Sequence, residues 1–131
     1  MKRRTILIVD DEGIILLSLK RELQNAFGGD FDYETALSAE EAETLIGELD
    51  AEGARIVLVI SDWLMPGMKG DELLRRVHEG HPDIKTMIIS GQADQEAIRR
   101  VRDEAGLGAY ISKPWKGVEL MKAVRALIVQ D

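Results

Sequence analysis

Cysteine is absent from the 131 residues. That absence excludes a disulfide framework, a thiolate metal site and thiol catalysis together. Positive charge is in deficit as well. With 17 basic against 24 acidic side chains the formal net charge is −7, and nucleic-acid binding would have to work against the domain's own mean field; no direct nucleic-acid partner is expected. Long hydrophobic runs are missing. The stretch Ile56-Val57-Leu58-Val59-Ile60 is five residues, far short of the ~20 a membrane span requires. At the N-terminus, Met1-Lys-Arg-Arg-Thr-Ile-Leu-Ile-Val9 starts like a basic leader, but its apolar run stops after four residues at Asp10-Asp11-Glu12, too short for a signal peptide. The expectation is one cytoplasmic domain over residues 1–131, with no membrane partner.

What is present is a globular balance, 45% hydrophobic and 31% charged, in a chain long enough to bury about two thirds of its unfolded surface. No repeat or low-complexity tract interrupts it. Short β-type runs fall at 5–9, 32–36, 56–61, 85–90 and 109–112. Three of them are almost wholly aliphatic, as strands buried on both faces must be. Helical patterns alternate with them. The first carries Leu16, Leu19, Leu23 and Phe27 and ends at Gly28-Gly29. The second opens on a capping box, Ser38-Ala39-Glu40-Glu41, and continues through Ala42, Leu45, Ile46 and Leu49. The third spans about 71–79 before Gly80 and Pro82. The fourth follows Asp94 as N-cap, with Ala97, Ile98 and Val101 before Gly106. The last carries Val118, Met121, Val124, Leu127 and Ile128. Five strands alternating with five helices indicate a doubly wound α/β sandwich, in which ligands sit beyond the carboxyl ends of the strands.

Those ends carry the informative residues. The first strand runs into Asp10-Asp11-Glu12, the third into Ser61-Asp62, the fourth ends at Ser90-Gly91, and the fifth at Ser112-Lys113-Pro114. Each has a plain reading: a helix N-cap, turn chemistry, a solvated loop. Together they converge three carboxylates, a hydroxyl and an ammonium on one edge of the sheet. At an effective dielectric of ~20, one carboxylate pair 4 Å apart costs about 4 kcal/mol, so the cluster needs a cation or a raised pKa. Oxygen ligands select a hard ion, and Mg2+ suits a phosphoryl-transfer site. With no His or Cys in the constellation, the nucleophile would be a carboxylate, forming an acyl phosphate. Lys113 can pair with a carboxylate or a phosphoryl oxygen, and Ser90 can donate a hydrogen bond to the same group.

The segments Ile6-Leu-Ile-Val-Asp-Asp-Glu12, Val59-Ile-Ser-Asp-Trp-Leu-Met-Pro-Gly-Met-Lys-Gly70, Met87-Ile-Ile-Ser-Gly91 and Tyr110-Ile-Ser-Lys-Pro114 closely resemble the receiver domains of two-component response regulators. The resemblance covers about 5–128. It implies a flavodoxin-like fold, a five-stranded parallel sheet of order 2-1-3-4-5 with helices on both faces. It also implies that Asp62 is the phosphoacceptor and that Mg2+ is held by Asp10, Asp11, Asp62 and the backbone carbonyl of Leu64, with Asp11 a direct ligand and Asp10 acting largely through water. Ser90 matches the switch hydroxyl and Lys113 the lysine that meets the phosphoryl group, aimed by a cis bond to Pro114. Tyr110 matches the rotameric aromatic, and Gly70 the small residue opening the third helix.

The partners so implied are a sensor histidine kinase, a downstream effector domain or protein, and a phosphorylation-dependent homodimer. The switching surface is helix 4, strand 5 and helix 5. Only self-directed phosphotransfer and dephosphorylation are expected. Aspartyl-nucleophile phosphatases usually place a second Asp two residues after the nucleophile, and Leu64 stands there. A nucleotide- or flavin-binding relative would want a phosphate loop after the first strand, where Asp10-Asp11-Glu12 is electrostatically opposite. Departures are small: Ser90 replaces the commoner Thr, Gly91 leaves room beside the acceptor, and the stretch 47–55 is long enough to predict a protruding loop. Leu64 and Gln92 flank the expected approach of a hydrolytic water. His78 and His81 read as solvated surface, and Arg99, Arg100 and Arg102 as an exposed helix face. Trp115 is expected to lie partly buried beneath the rim of the site.

Overall fold

The computed structural model of the chain describes residues 3–91 and 94–128. Five strands, β1 (Arg4–Val9), β2 (Asp32–Ala36), β3 (Arg55–Asp62), β4 (Lys85–Ser90) and β5 (Ala109–Ser112), alternate with five helices. These are α1 (Gly13–Phe27), α2 (Ala39–Ala51), α3 (Gly70–Gly80), α4 (Gln95–Ala105) and α5 (Gly117–Ile128). All strand pairs are parallel, in the order β2-β1-β3-β4-β5. The expected doubly wound, flavodoxin-like fold is therefore present. Both faces of the sheet are covered. Leu7, Val9, Val59 and Ile88 pack toward α2, α3 and α4. Ile6, Ile8, Ile60, Met87, Ile89 and Ile111 pack toward α1 and α5. This double coverage is what the aliphatic runs required. The alternation breaks once: register shifts between Thr5 and Ile6 opposite β3, so Val57 and Leu58 both face the α1/α5 side, as a β-bulge demands.

Local chemistry sets the helix ends. Ser38 Oγ accepts the Glu41 N–H at 3.0 Å, and Glu41 Oε2 accepts the Leu37 N–H at 3.3 Å. Asp94 caps α4 through the Ala97 N–H at 2.7 Å, and Gly106 ends it in the left-handed region. Two expectations need correction. The stretch 47–55 does not protrude: α2 runs on to Ala51, because Leu49 is a core residue, and only residues 52–54 turn into β3. The buried face of α5 is Leu120, Val124, Leu127 and Ile128, while Val118 is 85% exposed. Residues 120, 124, 127 and 128 form one helical stripe, and Val118 starts the helix off that stripe.

Register aligns the strand ends that matter. Val9 pairs with Ser61, Asp62 with Ile89, and Ser90 with Ser112. Asp10, Asp62, Ser90 and Lys113 thus emerge side by side along one edge of β1, β3, β4 and β5.

Candidate functional site

Asp62 closes β3 as a buried residue, 8% exposed. Its Oδ1 accepts the N–H of Trp63 at 2.8 Å. Its Oδ2 lies 3.4 Å from Lys113 Nζ. The backbone beneath is fixed too: Ser61 Oγ donates to the Asp62 carbonyl at 2.8 Å, and the Gly70 N–H donates to the Trp63 carbonyl at 2.9 Å. Gly70 has to be glycine, since a Cβ there would collide with the Asp62 carbonyl oxygen.

Asp10, 2% exposed, is held from both sides. Oδ1 accepts the Glu12 N–H at 2.9 Å, ahead of α1, whose N-cap Glu12 makes no side-chain capping bond and whose first turn carries no acidic residue, so the segment is not a plain helix cap; Oδ2 accepts from Lys113 Nζ at 3.0 Å. Asp11 is exposed, and one carboxylate oxygen from each of Asp10, Asp11 and Asp62 falls within a common 4.8 Å. His78 and His81 belong to no such group among the described residues.

Burial pushes the Asp62 carboxyl above its ordinary value, and the neighbouring Asp10 charge adds to that, against the opposing pull of Lys113. Burial works against the Lys113 ammonium, yet the hydrogen bond to Asp10 and the charges of Asp10 and Asp62 outweigh it, so Lys113 stays charged. Three carboxylates and one ammonium leave the crevice at −2. An all-oxygen donor set with that residual charge fits a hard divalent cation.

Lys113 is placed by its own backbone. Its N–H donates to the Ser90 carbonyl at 3.0 Å, and the Lys113–Pro114 peptide is cis, as expected. The same Ser90 carbonyl accepts the Tyr110 hydroxyl at 3.1 Å, with the ring half-buried against the α2/α3/α4 core. Ser90 is itself 2% exposed. Gly91 leaves open space: a Cβ at that position would find Lys113 Cβ as its nearest neighbour, 4.0 Å away. Leu64, in the loop after Asp62, is 49% exposed. Gln92 lies outside the described residues.

Asp10, Asp11, Asp62 and Lys113 therefore converge, with Lys113 and Tyr110 both bonded to the Ser90 carbonyl, while two contacts were not legible beforehand. Trp115 is half-buried as expected, but its indole N–H is taken by Glu22 Oε2 of α1 at 2.6 Å. Glu40, an intervening residue of the Ser38–Glu41 capping box, reaches across to the loop after β3, where its Oε2 accepts the Met68 N–H at 3.0 Å. No sequence signal marks either pairing, because each joins residues of different elements, Glu40 to a backbone N–H and Trp115 to a side chain.

Fold and site together define a doubly wound domain with an acidic, cation-ready crevice at its switch point. The chain belongs to the response regulator receiver domain family, whose pattern matches residues 6–125. It is 35% identical over 127 residues to the hydrogenase transcriptional regulatory protein HoxA of Cupriavidus necator, covering 97% of this chain and 24% of that protein. It is 32% identical over 124 residues to the sensor kinase CckA of Brucella abortus, covering 95% and 12%. The chain thus spans a quarter or less of these two relatives. Among solved structures, the signal receiver domain of an HD domain-containing protein from Pseudomonas fluorescens Pf-5 superposes with a TM-score of 0.86 at 29% identity, covering 98% of this chain and 97% of that one. Among the described residues no helix is long and apolar enough to cross a membrane.

Proposed function

We propose that this receiver domain takes a phosphoryl group onto Asp62 from the phosphohistidine of a sensor histidine kinase, and that the acyl phosphate switches the surface formed by α4, β5 and α5. The observation that carries the reading is Lys113, whose ammonium stands 3.0 Å from Asp10 and 3.4 Å from Asp62. A carboxylate oxygen of Asp62 forms the new P–O bond as the P–N bond of the donor breaks, and the departing imidazole keeps the nitrogen's electron pair. Lys113 then meets the added phosphoryl oxygens and Ser90 donates its hydroxyl to them.

Asp10, Asp11, Asp62 and the Leu64 carbonyl would hold Mg2+. When bound, the ion neutralises the crevice and offsets charge on the phosphoryl oxygens. Asp11 suits a direct ligand because it is exposed, whereas both oxygens of Asp10 already have partners in the protein. Tyr110 and Ser90 form the readout: the tyrosine hydroxyl is bonded to the backbone of the residue whose side chain responds, so a shift of Ser90 reaches β5 directly. The switched face would contact an effector domain or protein, or a second copy of this chain; nucleic acid is not a direct partner of so acidic a domain. Chemistry is self-directed, the domain reacting with its own acyl phosphate rather than turning over an external substrate, in a cytoplasmic setting.

The test is intact-mass spectrometry after incubation with acetyl phosphate and Mg2+. The wild type gains one phosphoryl group and Asp62→Asn does not. Equal modification of both would remove Asp62 from the acceptor role.

A further inference from the structure

We propose that Glu40 is a positioning residue for the phosphoacceptor site, holding the β3–α3 loop from the first turn of α2; this deepens, and rests on, the assignment of Asp62 and the Leu64 carbonyl given above. The loop spans 63–69. Its start is pinned at Asp62 and Trp63, and Met65 is buried at 5%. Beyond Pro66 the chain turns through Gly67 at φ 78°, and there α2 supplies a carboxylate to the backbone. Glu40 Oε2 accepts the Met68 N–H at 3.0 Å. A Cβ at Gly67 would lie 2.8 Å from that same oxygen. The glycine and the loop N–H therefore meet one atom, and any larger residue at 67 would displace the carboxylate besides straining the turn.

The two glutamates that open α2 divide two tasks. Glu41 turns back on its own helix, accepting the Leu37 N–H while its N–H is capped by Ser38. Glu40, one position earlier and about 100° round the helix, faces the loop. The Met68 bond also holds the Glu40 carboxyl below its ordinary value, so it is an anion at neutral pH. A backbone carbonyl such as that of Leu64 cannot be re-aimed by a rotamer change. Its position follows from the loop's dihedral angles alone, so a tether four residues on decides how well it is preset for a cation.

The test uses a Trp115→Phe background, which leaves Trp63 as the single indole of the two in the chain. Mg2+ is titrated by Trp63 fluorescence, and exchange of the Met68 amide is followed by NMR. Glu40→Ala should weaken Mg2+ binding about two- to fivefold, the effect of one lost hydrogen bond, and speed Met68 exchange. Glu40→Gln, which keeps an oxygen acceptor, should recover most of both. Glu41→Ala should lower the melting temperature and leave Mg2+ affinity unchanged. The proposal is overturned if Glu40→Ala binds Mg2+ as the wild type does, or if Glu41→Ala weakens binding as much. An error in the underlying assignment would look different: the parent protein itself would give no Mg2+ response at Trp63 and no adduct on Asp62.

Discussion

Lys113 and Asp10 are 103 positions apart in the chain, and the ammonium of one lies 3.0 Å from the carboxylate of the other. The bond neutralises a carboxylate that is almost wholly buried, and it holds the ammonium within reach of Asp62. Lys113→Ala should leave Mg2+ binding intact, since an ammonium cannot ligate a cation, while destabilising the metal-free chain by about 2 kcal/mol through the unpaired Asp10. It should also uncouple phosphorylation from the switch. Urea denaturation measures the first effect. Chemical shifts at Tyr110 measure the second, and normal propagation to Tyr110 in the phosphorylated variant would contradict the role.

Asp62→Asn should stabilise the protein at pH 7 without divalent ions. The folded-state pKa of Asp62 is raised by burial and by Asp10, so the fold binds that proton more tightly than the unfolded chain does. The resulting stability is present at low pH and is lost as pH rises through the raised value. At neutral pH the ionised carboxylate therefore works against folding. Removing it should raise the melting temperature by about 4 °C, the equivalent of roughly 1 kcal/mol in a domain of this size. The gain should vanish below the ordinary carboxylate range, and it should shrink when Mg2+ is added. Thermal melts across pH, with and without Mg2+, check all three.

Phosphorylation, or beryllofluoride in its place, should alter α4, β5 and α5 and leave α2 and α3 nearly unchanged. The path runs from the Ser90 backbone to the Tyr110 hydroxyl. Tyr110→Phe removes that bond and should reduce the response without affecting modification of Asp62. Sedimentation with and without beryllofluoride, together with shift mapping, tests this. A dimer indifferent to beryllofluoride, or one mapping to α2 and α3, would refute the surface.

The acyl phosphate should decay slowly. Hydrolysis needs a water in line with the phosphorus, and Leu64, two residues past Asp62 in the loop, is half-exposed and apolar, so it can neither orient nor activate one. Leu64→Asn should accelerate decay measured after donor removal. An unchanged or slower rate would clear Leu64 of that part.

Much of this molecule was written locally. Aliphatic runs specify strands buried on both faces, a Ser or Asp before an apolar stripe specifies a helix start, and the parallel α/β rule then puts Asp10, Asp62, Ser90 and Lys113 at one edge. These follow from sequence because strand period, helix period and capping involve residues within a few positions of one another. Tertiary structure alone decided which partners the side chains take across elements. It gave Lys113 to Asp10 at 3.0 Å and to Asp62 at 3.4 Å, turned Glu40 to Met68 and Glu22 to Trp115, and rotated α5 so that Leu120 is buried and Val118 is not. Each outcome depends on the distance and rotation between packed elements. Those are set by the whole core closing at once, and no local pattern records them.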